Sequence, residues 1–282
     1  MTELITPIKT QGKKTKLLQE IKKIIEINDK VYIEPFLGSG VVLFNLNPEK
    51  AYVSDNNIHI INFYKNIQNG SITPENARQF LEFHGNKLRE IGKEYYYVMR
   101  DEFNKNHNSL YFLFLNRSCF NGVMRFNKKG EFNVPFCNKK ERFSKALITK
   151  ICNQIDSVKK IIDSHGDNWH FECSDWEETI NKFSNTEAVY YFDPPYIARN
   201  ATYFDEWTDE KNDMFFKKIK KLNGTFVLSN WYENYYRKNL SLIDNFPVDE
   251  YIFNFIEHFY YVGGEEKNRN SISECLVVKK NS

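Results

Sequence analysis

The sequence predicts an α/β fold with a mostly parallel sheet, interrupted by a helical insertion. Three stretches carry that reading. Val31-Tyr32-Ile33-Glu34-Pro35-Phe36 is a short strand that runs into Leu37-Gly38-Ser39-Gly40 and then the apolar Val41–Phe44. Strand, glycine turn and helix in that order form the first unit of a nucleotide-binding fold. Ala51-Tyr52-Val53-Ser54-Asp55 is a second strand, ending in a carboxylate. Val189-Tyr190-Tyr191-Phe192 is a continuous apolar run, as a strand buried on both faces requires, and it is followed by Asp193-Pro194-Pro195-Tyr196.

Taken in order, residues 6–16 form a polar, basic loop, and Leu17, Leu18, Ile21, Ile24 and Ile25 then share one helical face. Lys13, Lys14 and Lys16, on their own, read as the solvated entry to that helix. Gly38 and Gly40 let a ligand approach the backbone, and the helix that follows supplies N–H donors. The third glycine of the dinucleotide fingerprint is missing, which argues against NAD. Asp55 suits two compatible roles. Its carboxylate can accept both hydroxyls of a ribose, and Asp55-Asn56-Asn57 can cap the next helix, residues 58–69. Glycine turn plus acidic strand end points to an adenosine-containing cofactor. Residues 73 to about 115 read as helical, opened by Thr73-Pro74-Glu75-Asn76, with no parallel-strand rhythm.

Helical spacing resumes from Ser144 to Ser164. Trp169 to Asp175 reads as a strand whose end carries Asp175, either at the ligand edge or as the cap of a helix over Trp176–Phe183. In Asp193-Pro194-Pro195-Tyr196 neither proline has an N–H for a sheet ladder, and the second forces the residue before it to be extended. The result is a stiff strand exit that presents a carboxylate, a carbonyl and a ring at the edge where open α/β sheets bind ligands. A polar, aromatic loop over 201–207, a lysine-faced helix over 209–222 and a strand over 224–230 follow. Residues 251–255 and 271–278 form a terminal strand pair, with a basic, glycine-rich loop over 263–269 between them.

Composition narrows the class. At 282 residues, with 41% hydrophobic and 27% charged residues, the chain has the profile of a globular domain carrying a smaller insertion. Its five cysteines are scattered without a Cys-x-x-Cys pair, so neither a zinc site nor a disulfide framework is expected. No run reaches the length of a membrane span, and residues 1–11 hold no signal-peptide core. Net charge is only +2, but it is unevenly spread. Between Arg117 and Lys145 eight basic residues face Glu131 and Glu141 alone, a formal +6, so the rest of the chain is net acidic. Asn127-Lys128-Lys129-Gly130 reads as a hairpin turn within that stretch. Basic side chains interleaved with Phe and Asn on a hairpin suit phosphate contact and base reading.

The motifs together resemble those of the Dam-type DNA adenine-N6 methyltransferases of the alpha group, over roughly residues 6–280. The matching pieces are the basic Gly-Lys loop, Glu34-Pro35-Phe36-x-Gly38-x-Gly40, the acidic strand end, the insertion and Asp193-Pro194-Pro195-Tyr196. The insertion's Asn116-Arg117, Phe120-Asn121-Gly122, Arg125-Phe126-Asn127 and Gly130-Glu131-Phe132-Asn133-Val134-Pro135-Phe136 are similar to the family signature almost residue by residue. One departure lies in the first loop. The family often has Trp-Ala-Gly-Gly-Lys where this chain has Thr10-Gln11-Gly12-Lys13-Lys14, a version closer to methyltransferases that accompany restriction enzymes cutting outside their site.

The resemblance implies a Rossmann-like, S-adenosylmethionine-dependent fold with a mostly parallel seven-stranded sheet. Residues 1–69 and 146–282 would form the catalytic domain and residues 70–145 an inserted target-recognition domain. It implies cofactor binding by Thr10, Lys14, Glu34, Phe36, Gly38, Gly40, Asp55, Asn56, Asp175 and Asp193. It implies catalysis by Asp193, Pro194 and Tyr196, without a metal. Asp193 and the Pro194 carbonyl would accept the N–H bonds of a flipped-out adenine, and Tyr196 would stack on the base. DNA contact falls to Arg117, Asn121, Arg125, Asn127, Lys128, Asn133, Pro135 and Lys139, with Arg125 reading a guanine beside the target adenine. Double-stranded DNA is the implied partner, with functional pairing to a restriction endonuclease and a second methyltransferase, in the bacterial cytoplasm and away from membranes. Cytosine-N4 transfer (lowered by Asp rather than Ser at 193), RNA adenine methylation (which usually has Asn there), a non-catalytic DNA-binding protein and a nucleotide-dependent oxidoreductase stay open as alternatives. Cytosine-C5 chemistry does not, because no cysteine follows a proline.

Overall fold

The computed structural model describes residues 3–10, 12, 14–196, 207–234, 238–259 and 271–280. Residues 201–206 of the expected aromatic loop, the glycine-rich loop over 263–269 and Lys13 lie outside the described residues. In chain order the elements are α1 (Leu18–Ile24), β1 (Val31–Glu34), α2 (Val41–Leu46), β2 (Ala51–Asp55), α3 (Ile58–Gln68), α4 (Pro74–Ile91), α5 (Lys93–Asn106) and α6 (Ser109–Ser118). They continue with α7 (Lys145–His165), β3 (Trp169–Cys173), α8 (Trp176–Phe183), β4 (Ala188–Phe192), α9 (Asp209–Ile219), β5 (Gly224–Asn234), α10 (Leu240–Asn245), β6 (Tyr251–Phe259) and β7 (Ser271–Lys279).

The seven strands form one sheet in the order β3-β2-β1-β4-β5-β7-β6. The pairs β3–β2, β2–β1, β1–β4 and β4–β5 are parallel, and β7 runs antiparallel between β5 and β6. This is the expected α/β methyltransferase-type sheet, parallel but for one strand. Both faces are covered, as the continuous apolar strands require. On one face Tyr32, Val53, Tyr191 and Val227 pack with α2, α3 and the helices of the 74–165 segment. On the other, Ile33, Tyr190, Phe192 and Leu228 pack with α8, α9 and α10. Strand order reverses between β1 and β4, so Glu34 and Asp193 leave the sheet side by side at the crevice where such folds take ligands.

The helical run expected over residues 73 to 115 is three helices. Gly92, at φ 85°, ends α4 and starts α5, and His107 in the left-handed region ends α5 before the Asn108 cap. The N-terminus of α4 is closed by a reciprocal Thr73–Asn76 capping box. β5 runs on to Asn234, past the expected end at residue 230, because β7 pairs with it along that length through a bulge between Trp231 and Glu233.

The expected hairpin follows α6. Phe126 pairs with Phe132 and Cys119 with Phe136 as antiparallel bridges, with the turn closed by Gly130 N–H to Asn127 O. Phe126, Phe132, Val134 and Phe136 are buried and fix the hairpin to the helices. Asn104 of α5 behaves as an extra strand: its Oδ1 accepts from Phe132 N at 2.8 Å and its Nδ2 donates to Phe132 O at 3.2 Å. Asn116 does the same for the N-terminal segment. It accepts from Lys9 N and donates to Lys9 O, both at 2.8 Å.

Candidate functional site

The sheet's strand exits open into one cleft enclosing about 1210 Å³ of space, its mouth included. Its walls gather Thr10, Lys14, Glu34, Phe36, Gly38, Asp55, Asn56, Asp175 and Asp193, which are nine of the ten residues expected to hold a cofactor. Gly40 lies one turn behind. It adopts φ 69°, and a Cβ there would sit 2.9 Å from the Phe44 ring, so only glycine lets α2 start at this point.

The cleft's chemistry centres on Lys14. The sequence alone suggested a solvated lysine, yet only 4% of its side chain is exposed. Its Nζ lies 3.0 Å from Asp193 Oδ1 and 3.9 Å from Glu274 Oε2, and donates to the Tyr196 hydroxyl at 2.8 Å. Tyr196 in turn donates to Glu274 Oε1 at 3.3 Å. Burial alone would lower the Lys14 pKa, but Asp193, Tyr196 and Glu274 outweigh it and hold the ammonium charged. Burial raises Asp193 to about 6, against the opposing pull of Lys14.

Glu274, which joins the Lys14 cluster, carries no expected role in the sequence. It comes from β7, is 1% exposed, and precedes the apolar Cys275-Leu276-Val277. A lone carboxylate in such a strand was the available signal, since a charge is almost never fully buried unless paired.

Asp55 ties two parts of the cleft together. Its Oδ2 accepts from Gly38 N at 2.8 Å and its Oδ1 from Asn57 N at 2.9 Å. Burial raises its pKa to about 6, and those two N–H groups oppose the shift. The carboxylate retains acceptor capacity beyond these bonds. The helix cap itself is Asn57, which accepts from His59 N. Glu34, buried and bonded by the Tyr32 hydroxyl at 2.9 Å, is pushed well up by burial and by the charges of Asp193 and Asp55. Asp175 caps α8 by accepting from Glu177 N while also facing the cleft, so both of its expected roles are compatible with its position. Phe36 stands in an aromatic group with Trp207 and Phe215, at ring distances of 5.8 and 5.7 Å. On the cleft wall the Tyr191 hydroxyl is buried without a hydrogen-bond partner among the described residues.

Of the residues expected at DNA, Asn121, Arg125, Lys128, Pro135 and Lys139 are exposed on the hairpin side, and Asn127 and Asn133 are half-buried. Asn127 spends its side chain on the turn, accepting from Lys129 N and Glu131 N and donating to Glu131 Oε2. Arg117 departs from expectation. It is 4% exposed, its Nη2 donates to Gln154 at 2.6 Å, and its backbone carbonyl takes Arg142 Nε. The reason is geometric: Arg117 lies on the last turn of α6, on the side facing α7, so it braces helices and is not a surface cation. Met124 and Phe126 of the hairpin reach the cleft wall, so the basic hairpin borders the Asp193 site.

Among the described residues no cluster of ligating side chains can hold a metal ion, and no helix is long and apolar enough to cross a membrane.

The family model described as D12 class N6 adenine-specific DNA methyltransferase matches residues 11–261. The chain is 34% identical over 253 residues to Type II methyltransferase M.MjaIII of Methanocaldococcus jannaschii, covering 80% of this chain and 83% of that one. It is 29% identical over 211 residues to Type II methyltransferase M1.LlaDCHI of Lactococcus lactis subsp. cremoris, with 72% and 69% covered. It is 31% identical over 200 residues to the DNA adenine methylase of Serratia marcescens, with 69% and 68% covered.

Proposed function

The chain belongs to the D12 class of N6 adenine-specific DNA methyltransferases, and from that premise we propose how its parts divide the work. The family's specificity sets the cytosine-N4 and oxidoreductase alternatives aside. The methyl donor is S-adenosylmethionine. The cleft suits it in its donor set: one buried cation, Lys14, beside the carboxylates Glu34, Asp55 and Asp193. The donor carries one carboxylate, an ammonium, a sulfonium and two ribose hydroxyls, which complement that set. When bound it supplies an electrophilic methyl group.

Lys14 holds the donor's carboxylate, with Thr10 on the same loop. Asp55 takes the ribose hydroxyls with the lone pairs its two backbone N–H partners leave over. Gly38 and Gly40 admit the methionine portion close to the backbone, Phe36 and Asn56 border the adenosine, and Asp175 flanks it. The adenine to be modified leaves the duplex, because its amine is hidden there. Asp193 and the Pro194 carbonyl accept the two N–H bonds of that amine. This draws its lone pair out of the ring and aims it at the methyl group. Positioning and electrostatics supply the rate, with Tyr196 stacked on the base.

Residues 70–145 act as the target-recognition unit and residues 1–69 and 146–282 as the catalytic unit. Arg125 reads a guanine beside the target adenine, and Asn121, Lys128, Pro135 and Lys139 contact the duplex. A restriction–modification role, with a paired endonuclease and a second methyltransferase in a bacterial cytoplasm, draws support from the two relatives named Type II methyltransferases. The observation that carries the reading is Asp193 at the β4 exit, 3.0 Å from the buried Lys14, in the cleft that Gly38 and Asp55 line. Tritiated methyl transfer from S-adenosylmethionine to plasmid DNA, with the modified positions mapped, tests it. Wild type labels adenine at one sequence, and Asp193→Ala abolishes transfer while sparing DNA binding. Turnover retained by Asp193→Ala would sink the mechanism.

A further inference from the structure

The Arg125 guanidinium does not stand alone on the hairpin. Its Nε donates to Asn133 Oδ1 at 2.8 Å, and its Nη2 donates to the Asn133 carbonyl oxygen at 3.3 Å. Asn133 N–H returns a bond to the Arg125 carbonyl at 3.1 Å, beside the Phe126–Phe132 bridge. A guanidinium is a planar fork with two usable edges. The side edge carries the Nε hydrogen and one Nη2 hydrogen, and the end edge carries one hydrogen from each Nη. Asn133 takes the side edge with both of its oxygens. The end edge stays open: among the described residues no acceptor meets Nη1, and the side chain is exposed. Two parallel N–H bonds from one such edge are what the O6 and N7 of a guanine accept.

We propose that Asn133 is a positioning residue for specificity, which contacts no base and instead locks Arg125 with its end edge presented to the guanine. The inference rests on the reading of Arg125 given above, and it replaces the expectation that Asn133 itself touches DNA. Its physical content is preorganisation. A free arginine side chain holds substantial rotamer entropy, part of which would otherwise be lost when it orders on the base. Here the hairpin pays that before DNA arrives. Buried Phe132 and Val134 on either side of Asn133 anchor the acceptor.

The test measures kcat/KM on duplexes carrying the mapped site, with the neighbouring guanine intact or replaced by 7-deazaguanine, which lacks the N7 acceptor. Wild type discriminates roughly 10- to 150-fold, the range for losing one hydrogen bond from a charged donor. Arg125→Ala loses that discrimination. Asn133→Ala loses most of it while transfer to the 7-deazaguanine duplex stays near wild type. Asn133→Asp, which keeps an acceptor at Oδ1, restores the discrimination ratio. The double variant Asn133→Ala/Arg125→Ala matches Arg125→Ala alone, since Asn133 acts only through it. If the two losses multiply, Asn133 contacts DNA directly and the proposal is overturned. Should Asn133→Ala keep full discrimination while Arg125→Ala loses it, the positioning role falls and the guanine reading survives. Full discrimination by Arg125→Ala removes both. Circular dichroism melts of each variant separate these outcomes from unfolding.

Discussion

Asp193 has a carboxylate that burial raises to about 6, and Asp55 matches it. Two opposite pH dependences follow. On the role proposed for Asp193 the ionised carboxylate is the stronger acceptor for the amine, so kcat/KM is expected to rise with pH through a limb near 6, well above the ordinary aspartate range. A steady-state profile between pH 4.5 and 8.5 checks this; a limb at 4 would contradict it. Stability runs the other way. The folded protein binds the proton more tightly than the unfolded chain, so this contribution is complete below about 4 and is lost as pH rises through about 6. For Asp193 that is roughly 1–3 kcal/mol, read from the urea midpoint of ligand-free protein. Glu274 supports the same cluster. Glu274→Ala removes one counter-charge from the buried Lys14 and is expected to lower stability by about 2–3 kcal/mol, less than a full buried pair because Asp193 remains. Urea unfolding at pH 7 measures it. At this scale Asp55 and Asp193 were legible as cleft residues, because each ends an apolar strand, while the burial of Lys14 and of Arg117 was not. A residue count shows how much charge a segment carries, but burial is decided by which helix face meets a neighbour.

The hairpin shows what an element needs beyond its own pattern. Its turn was legible in Asn127–Gly130, while the burial of Phe126, Phe132, Val134 and Phe136 that anchors its arms appears only in the fold. Its attachment was not, because it depends on Asn104, a polar residue in the helical run with no local reason to be there. Asn104→Ala leaves Phe132 N and O without that partner, at about 1–2 kcal/mol. The expected result is faster hydrogen exchange at the Phe132 amide and weaker sequence discrimination, with methyl-transfer chemistry intact on a cognate site at saturating DNA. Unchanged exchange at Phe132 would show that the buried aromatics alone hold the arm. The division of residues 73–115 into three helices was likewise hidden. Gly92 could be read as a helix interior glycine, and only its φ of 85° shows that it is a corner.

Across the whole molecule the parallel half of the sheet was readable from strand exits, since each carries a polar residue after an apolar run. The position of β7 was not. Two terminal strands were expected to pair, but insertion of the last between β5 and β6 follows from contacts with β5, which local sequence does not encode. That insertion is what carries Glu274 to Tyr196, 78 positions away in the chain. The Asn116–Lys9 clasp has its own reach. It ties the segment that leads to Lys14 to the end of α6, where the hairpin begins. If a ligand immobilises either side, this clasp is expected to relieve the other of part of its ordering entropy, which would place donor and DNA in one free-energy cycle. Donor analogue and DNA are expected to tighten each other's binding by the same factor, as linkage demands. Fluorescence anisotropy of labelled duplex with and without the analogue measures that factor, and Asn116→Ala is expected to shrink it toward one. The order in which the substrates bind would then be a preference set by a single side-chain amide, with neither order forbidden.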